Sequence, residues 1–153
     1  MLEGLHFQNA YVTHNVEQTL DTFRQRAAVR KIIQFETETA VSTPQGAGFQ
    51  HTKLAFVWVG NLQYELIQPI GGAVDIYRQG LSQNDRPAFH HICMRIGEWN
   101  DFRRRVDRQS LPVVLEGGGD ALKFLYLDAR ELVGHYLEYV WMSEERWRQL
   151  GGE

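Results

Sequence analysis

The sequence predicts an α+β protein built from two tandem βαβββ modules. The first observation is a strand-like alternation that sets a polar residue opposite an apolar face, clearest in Phe89–Ile96, which reads FHHICMRI. Successive side chains of a strand point to opposite faces, so His91 lies opposite Ile92 and Met94. The second observation is that strand and helix patterns follow the same order in both halves of the chain. A repeated unit decides the fold, because copies read as unrelated elements give the wrong architecture.

The first half reads as a strand, a helix and three further strands. Asn15 caps the helix, whose apolar residues recur at helical spacing, and Gly60–Asn61 forms a turn between two β-rich runs. The Thr-, Ser-, Pro- and Gly-containing stretch Thr37–Gly48 is expected to be a flexible loop. The predicted elements are strands Leu5–Thr13, Arg30–Glu36, Lys53–Val59 and Leu62–Gln68, with a helix from Val16 to about Ala27.

The second half repeats this order after a short helix around Val74–Leu81 and a polar loop. Gly117–Gly119 reads as a hairpin turn and not as a phosphate site, because no helix start follows it. We therefore expect one domain over 1–153, with module 1 at about 5–70, a linker helix within 71–87, module 2 at about 88–142 and a C-terminal helix at 143–150. The predicted elements of module 2 are strands Phe89–Ile96, Val113–Glu116, Leu122–Asp128 and His135–Met142 and the helix Glu98–Gln109.

Composition restricts the class of partner. The chain has 16 basic and 19 acidic residues and a net charge of −3, which gives no electrostatic reason to expect nucleic acid or an anionic membrane as partner. Cys93 is the single cysteine, so neither an intrachain disulfide nor a cysteine-based zinc cluster can form. The amino terminus lacks the pattern of a signal peptide, and no stretch is long enough to span a bilayer. We expect a cytoplasmic protein whose partner is a small-molecule substrate.

Three charged or ionisable residues lie mid-strand, each opposite an apolar face. They are His91, Glu65 in NLQYELIQP and Glu138 in GHYLEYVWM. Glutamate is disfavoured in strands, and charged groups are rarely buried without a partner, so a shared divalent cation is the obvious explanation. The alternative is that both glutamates lie on an exposed sheet face, where glutamate usually occurs in antiparallel sheets.

The modules and three segments of this chain resemble the vicinal oxygen chelate superfamily, which includes glyoxalase I, methylmalonyl-CoA epimerase, extradiol dioxygenases and bleomycin-resistance proteins. The segments are YELIQPIGG, FHHICMRI and GHYLEYV, and the first two are most similar to the epimerase and its glyoxalase-like relatives. The resemblance extends from about Leu5 to Met142. It implies a paired half-barrel with one divalent metal ion in the cleft and one ligand from each of four strands. The second, third and fourth ligands then fall on Glu65, His91 and Glu138.

The resemblance leaves two candidates for the first ligand. That position is usually a histidine seven residues before the residue that caps the first helix, which corresponds here to Gln8. Some glyoxalase I enzymes have glutamine there. His6 lies on the same strand face and is a rival ligand if the strand carries a bulge. We favour Gln8.

One imidazole, two carboxylates and an amide oxygen suit Zn, Ni, Co, Fe or Mn. An ion held in this way would act as a Lewis acid, and Glu138, or secondarily Glu65, is the candidate base. The resemblance thus implies a lyase or isomerase of the glyoxalase or epimerase type that acts through an enolate-like intermediate on a small oxygenated acid, thioester or thiol adduct. The alternative is a non-catalytic protein that sequesters a ligand in the same cleft. An extradiol-type dioxygenase ranks third, because its usual ligands are two histidines and one glutamate.

Other candidate residues receive structural interpretations. His90 is expected to be a core histidine and Cys93 a small packing residue, whereas His14, His51 and His135 are expected in loops or at the rim of the cleft. The epimerase-like proteins keep a second catalytic carboxylate near the position of His51, but GAGFQHTK contains no acid. Proton exchange is therefore expected on one face of the substrate carbon only. We also expect a homodimer, because the aromatic content is high and family members commonly pair.

Overall fold

Two four-stranded sheets join edge to edge into one closed barrel. The structure is a computed structural model that describes residues 2–153. Its strands are β1 (Leu5–Val12), β2 (Lys31–Thr43), β3 (Gly46–Val59), β4 (Leu62–Gly72), β5 (Ala88–Arg95), β6 (Val113–Gly118), β7 (Leu122–Leu127) and β8 (Tyr136–Met142). Its helices are α1 (Val16–Arg26), α2 (Asp75–Arg78), α3 (Trp99–Val106), α4 (Arg130–Val133) and α5 (Glu144–Gln149).

The strand order around the barrel is β1-β4-β3-β2-β6-β7-β8-β5. Within each module the first strand pairs in parallel with the last, as β1 does with β4 and β5 with β8. The modules join through the antiparallel pair β1 and β5 and through a short contact between β2 and β6. The predicted α+β class with paired βαβββ modules is confirmed.

The apolar faces of the site-bearing strands point outward, towards the helices. Leu66 of β4 packs in a cluster with Leu20 of α1. On the other module, Met94 of β5 and Leu137 of β8 pack in a cluster with Phe102 of α3. Because side chains alternate along a strand, the opposite faces of β4, β5 and β8 point into the barrel. The helices thus determine which residues face the interior.

Helix α5 packs against inward-facing residues of the barrel. Trp147 packs against Phe7 and Trp58, with ring centroids 5.0 Å and 5.7 Å away. The indole nitrogen of Trp58 donates a hydrogen bond to the carbonyl oxygen of Leu150 at 2.7 Å. The C-terminal segment therefore belongs to the main core, which includes both Trp147 and Leu150.

The structure corrects the interpretation of Thr37–Gly48 as a flexible loop. Strands β2 and β3 pair along their whole length, from Lys31 opposite Trp58 to Thr43 opposite Gly46. The threonines are β-branched and alternate with Glu and Ala, which favours a half-buried strand. Only the turn at Pro44 and Gln45 interrupts the hairpin, and it is followed by Gly46 at a φ of 118°.

The short helix predicted around Val74–Leu81 is present but shorter than expected. Strand β4 continues to Gly72, and α2 covers only Asp75–Arg78. The turn predicted at Gly117–Gly119 is present, because the Gly119 amide donates to the Leu122 carbonyl oxygen at 2.7 Å between β6 and β7. Among residues 2–153, no helix has both the length and the apolar character needed to cross a membrane.

Candidate metal centre

Three ionisable side chains converge inside the barrel from three different strands. Potential ligand atoms of Glu65 on β4, His91 on β5 and Glu138 on β8 all lie within 4.8 Å of one another. His91 Nε2 is 3.1 Å from Glu138 Oε2 and 3.4 Å from Glu65 Oε2. The register explains this convergence, because Ala10 of the intervening β1 pairs with Glu65 on one side and with His91 on the other.

Gln8 adds a fourth donor from β1. Its side-chain Oε1 lies 3.3 Å from the Oε2 atoms of both Glu65 and Glu138, and its Nε2 donates to Gln63 Oε1 at 2.5 Å. An amide oxygen that faces two carboxylate oxygens is repulsive unless a cation lies between them or the amide turns over and donates to both. The donor set of one amide oxygen, two carboxylates and one imidazole therefore fits a divalent cation.

The structure separates the two candidates for the first ligand. His6 is exposed, and its Nε2 interacts with Asn9 Oδ1 at 2.8 Å, away from the cluster. The pairing of β1 with β5 shifts register between His6 and Gln8. This irregularity allows the consecutive residues Phe7 and Gln8 both to line the interior. A bulge is present, as the rival interpretation required, but it is Gln8 that lies beside the carboxylates.

Burial determines the electrostatics of the cluster. His91 is fully buried, and the side chains of Glu65 and Glu138 are 9% and 12% exposed. Burial raises the pKa of Glu65; its hydrogen bond to His91 opposes the shift, and the charge of Glu138 adds to it. Burial alone would lower the pKa of His91, but hydrogen bonds and attraction to Glu138 and Glu65 outweigh this effect and raise it to about 9. In the metal-free protein the His91 ring is thus an imidazolium that contacts both acidic side chains.

His90 supports His91 from behind, a role that the alternation pattern did not indicate. His90 Nε2 lies 2.9 Å from the Ile76 carbonyl oxygen and must donate to it. His90 Nδ1 lies 2.9 Å from His91 Nδ1. Burial, together with the charge of His91, lowers the pKa of His90 to about 3, so its Nδ1 carries a lone pair. His90 was predicted to be a core histidine, and it is buried, but it also contacts the candidate ligand.

The cluster lies at a cavity of about 560 Å³ inside the barrel. Aromatic and aliphatic side chains form most of its wall, including Phe35, Leu54, Phe56, Phe124 and Met142. Arg146 is the one basic side chain among the described residues that line it. A pocket that is mostly apolar with a few convergent polar groups is the usual form of a small-molecule site.

The remaining histidines lie outside the cluster. His51 is on the outer face of the β2–β3 hairpin, where its Nε2 is 2.6 Å from Glu36 Oε1. His14 and His135 interact with the backbone carbonyl oxygens of Ser82 and Tyr136. Cys93 lines the cavity, and burial, followed by the charge of Glu138, raises the pKa of its thiol, so it stays protonated and is a poor nucleophile.

A comparison with known families finds one match. The model of the Glyoxalase/Bleomycin resistance protein/Dioxygenase superfamily matches residues 7–126. This range contains Gln8, Glu65 and His91 and ends before Glu138. Among curated proteins, none matches the chain by sequence.

Solved structures share the fold at low sequence identity. Methylmalonyl-CoA epimerase from Mycobacterium tuberculosis superposes with a TM-score of 0.68 at 13% identity, over 97% of this chain and 96% of the other. Another methylmalonyl-CoA epimerase, in complex with methylmalonyl-CoA and NH4+, gives the same score and identity over 92% of this chain and 96% of the other. A hypothetical protein from Bacillus halodurans C-125 gives a TM-score of 0.63 at 16% identity, over 91% and 94% of the two chains.

Proposed function

Because this chain belongs to the Glyoxalase/Bleomycin resistance protein/Dioxygenase superfamily, we propose that it is a metal-dependent lyase or isomerase that removes and returns a proton beside a carbonyl group. The observation that carries the proposal is the convergence of two carboxylates and an imidazole within 4.8 Å at the wall of an apolar cavity. Such a cluster is costly to bury without a shared counter-ion or a function.

In this proposal Gln8, Glu65, His91 and Glu138 hold the ion. The ion is Zn, Ni, Co, Fe or Mn, because an imidazole, an amide and two carboxylates suit borderline and hard divalent cations. When bound, the ion would polarise a carbonyl oxygen of the substrate and so lower the cost of an enolate-like intermediate. His90 keeps the ring of His91 in place, as metal-binding histidines commonly require of a neighbouring group.

Glu138 is the proposed general base. Its side chain lines the cavity, where a substrate carbon can reach it, and it is slightly more exposed than Glu65. Burial raises the pKa of Glu65, which favours its protonated form and makes it the second candidate. Exchange is expected on one face of the carbon, because the inward-facing residues on either side of His51 are Gln50 and Thr52, and neither is an acid.

A small oxygenated acid, a thioester or a thiol adduct would suit this chemistry. The similar epimerase whose structure contains methylmalonyl-CoA acts as a precedent for a thioester in this fold. The second candidate function is ligand sequestration without catalysis, which the apolar cavity also favours. An extradiol-type dioxygenase stays third, since its ligand set differs from the cluster in this chain.

Metal analysis is the first experiment. Protein purified without added ions, and protein reconstituted with each candidate ion, should contain close to one ion per chain. His91→Ala should abolish binding, whereas the control His14→Ala, an exposed residue far from the cluster, should leave it unchanged. If neither preparation binds an ion, the proposed chemistry is wrong and sequestration becomes the better explanation.

Proton exchange distinguishes an enzyme from a binding protein. Deuterium uptake from heavy water into 2-oxo thiohemiacetals and acyl thioesters is followed by nuclear magnetic resonance. Glu138→Gln should abolish exchange more than it weakens metal binding, because an amide still offers an oxygen but cannot accept a proton. The exposed Glu131→Gln serves as the control. A metal-loaded wild type that binds these compounds without exchange contradicts the lyase or isomerase proposal.

A further inference from the structure

The cavity contains two buried polar atoms that no group of the described chain satisfies. They are Oε1 of Gln50 and Oγ1 of Thr52, and neither has a hydrogen-bond partner in residues 2–153. Gln50 is 7% exposed and Thr52 is 1% exposed. A buried polar atom without a partner lowers stability, so a native protein that retains two of them, side by side, commonly has a functional reason.

Both atoms belong to the wall of the cavity that contains the carboxylates. Gln50 and Thr52 are two residues apart on β3, so their side chains lie on the same face of the strand and both line the interior. Thr52 lies four residues before Phe56, which pairs with Glu65 on β4. Four residues of a strand extend roughly 13 Å. The polar pair and the carboxylates of the cluster are therefore separated along the cavity wall by about that length of strand.

Tyr77 connects the two polar regions of the cavity. Tyr77 and Tyr126 both line the cavity together with Gln50 and Glu138, and the ring centroids of the two tyrosines are 6.1 Å apart. Burial, above all, raises the pKa values of Tyr77 and Tyr126 far above the usual range, so both hydroxyls stay protonated. A ligand that spans from the carboxylates to Gln50 would therefore pass along neutral groups.

The surroundings of the pair restrict what it can bind. Gln50 Oε1 can only accept a hydrogen bond, while Thr52 Oγ1 can accept or donate one. Phe35, Leu54 and Phe56 line the same wall, and Arg146 is the single basic residue among the described residues of the lining. A carboxylate or phosphate at this position would face the acceptor Oε1 of Gln50, and the Thr52 hydroxyl would be the only donor that the unsatisfied pair offers it. A neutral donor, such as a hydroxyl or an amide N–H, matches the pair.

We propose that Gln50 and Thr52 form a second anchor for the substrate, which binds a hydroxyl or amide N–H at the far end of an apolar ligand whose oxygens reach the Gln8–Glu65–His91–Glu138 cluster. This proposal rests on the proposed function, because the cluster defines the first end of the ligand. It narrows the substrate class to compounds with an apolar middle and a neutral hydrogen-bond donor at the end far from the cluster. Compounds with a second anionic group inside the cavity are disfavoured.

Matched pairs of chelating probes test the anchor. The probes are ω-hydroxy-alkanohydroxamic acids of four to eight carbons, each paired with the alkanohydroxamic acid that carries a methyl group in place of the hydroxyl. Affinities for the metal-loaded protein are measured by calorimetry. One member of the hydroxylated series should bind about tenfold more tightly than its methyl partner, the effect of one good hydrogen bond to a buried group. The Gln50→Met/Thr52→Val variant should lose this preference and still bind the methyl compounds.

A second measurement needs no ligand. Thr52→Val removes an unsatisfied hydroxyl at nearly constant volume, so the thermal midpoint should stay the same or rise by up to about 2–4 °C. The control is Thr19→Val, because the buried Thr19 hydroxyl has partners in Thr13 Oγ1 at 2.9 Å and the Asn15 carbonyl oxygen at 3.1 Å. That variant should be destabilised.

The outcomes separate this proposal from the proposed function. Equal affinity of the paired probes for the metal-loaded protein, or a fall in midpoint for Thr52→Val as large as that for Thr19→Val, contradicts the anchor. Failure of the proposed function would instead appear in the metal analysis, as a protein that binds no ion, and would leave the result for Thr52→Val unchanged.

Discussion

His90 and His91 face each other through their Nδ1 atoms at 2.9 Å, although consecutive residues of a strand normally point apart. One of the two nitrogens must carry the proton. His90 already donates from Nε2 to the Ile76 carbonyl oxygen, and its neutral ring leaves a lone pair on Nδ1. His91 Nδ1 therefore donates, and His91 Nε2 is the atom that faces Glu65 and Glu138. The pair fixes which nitrogen of His91 is available to an ion.

We predict that His90→Phe weakens metal binding by about 10–100-fold, the usual effect of losing the partner of a metal-binding histidine. His90→Gln should lose less, because its amide can still accept a hydrogen bond. Calorimetric titration with the candidate ion measures the affinity, and nitrogen chemical shifts of His91 report its tautomer. His14→Phe is the control, since His14 is exposed and bonded to the Ser82 carbonyl oxygen. Unchanged affinity and tautomer in His90→Phe would contradict this role.

Trp147 provides a test of how much the packing of α5 stabilises the barrel. It is 6% exposed and packs against Phe7 and Trp58, and the guanidinium of Arg95 lies 4.5 Å from its ring centroid. Trp147→Ala should lower the free energy of unfolding by about 3–5 kcal/mol, because truncation of a buried aromatic leaves a cavity. Urea denaturation measures the loss. The control Trp141→Ala should cost less, because Trp141 is only partly buried. Equal losses would contradict a special contribution of the α5 packing to stability.

The homodimer expected from composition stays a prediction. The largest apolar side chains exposed on the described surface include Leu5, Phe49 and Leu132, which are 60% to 64% exposed. Exposed apolar surface favours association when it is contiguous. Sedimentation at micromolar concentration should give twice the mass of the chain, and a monomer at that concentration would contradict the prediction.

The alternation of residues along single strands was sufficient to predict the ionisable cluster. Each of the three residues Glu65, His91 and Glu138 lies opposite an apolar strand face, a pattern that can be read from neighbouring residues alone. The helices pack on the apolar faces from outside the barrel, so the three polar side chains point inward. Gln8 was implied by the family resemblance, which sets the first ligand seven residues before the helix cap; that cap is Asn15, whose side chain accepts a hydrogen bond from the Gln18 amide.

The features that the sequence did not reveal depend on pairing between distant segments. Thr37–Gly48 reads as a loop by composition, and it is a strand hairpin because β2 and β3 satisfy each other's backbone groups. The contact between His90 and Ile76, and the absence of partners for Gln50 and Thr52, depend on which side chains surround these residues in the closed barrel. No local pattern contains that information.

The raised pKa of His91 predicts how metal binding depends on pH. In the metal-free protein this pKa is about 9, compared with an ordinary value of 6.5, so the ring is protonated at neutral pH. An ion can bind to Nε2 only after the proton leaves, so the apparent affinity should rise by up to about tenfold per pH unit and level off near pH 9. Calorimetry in buffers of different ionisation enthalpy should detect the release of one proton per ion at pH 7.

The same shift predicts the opposite trend for the stability of the metal-free protein. Because the pKa of His91 is higher in the folded than in the unfolded protein, protonation of His91 stabilises the fold. This contribution is fully present below pH 6.5 and is lost as the pH rises through about 9. When metal has been removed with a chelator, the thermal midpoint should fall as the pH rises from 6.5 to about 9. The variant His91→Phe should lack the part of this fall that is due to His91. The metal-loaded protein should lack the decline, because its ring is already deprotonated. Identical pH profiles for the metal-free and loaded forms would show that His91 neither holds the proton nor exchanges it for the ion.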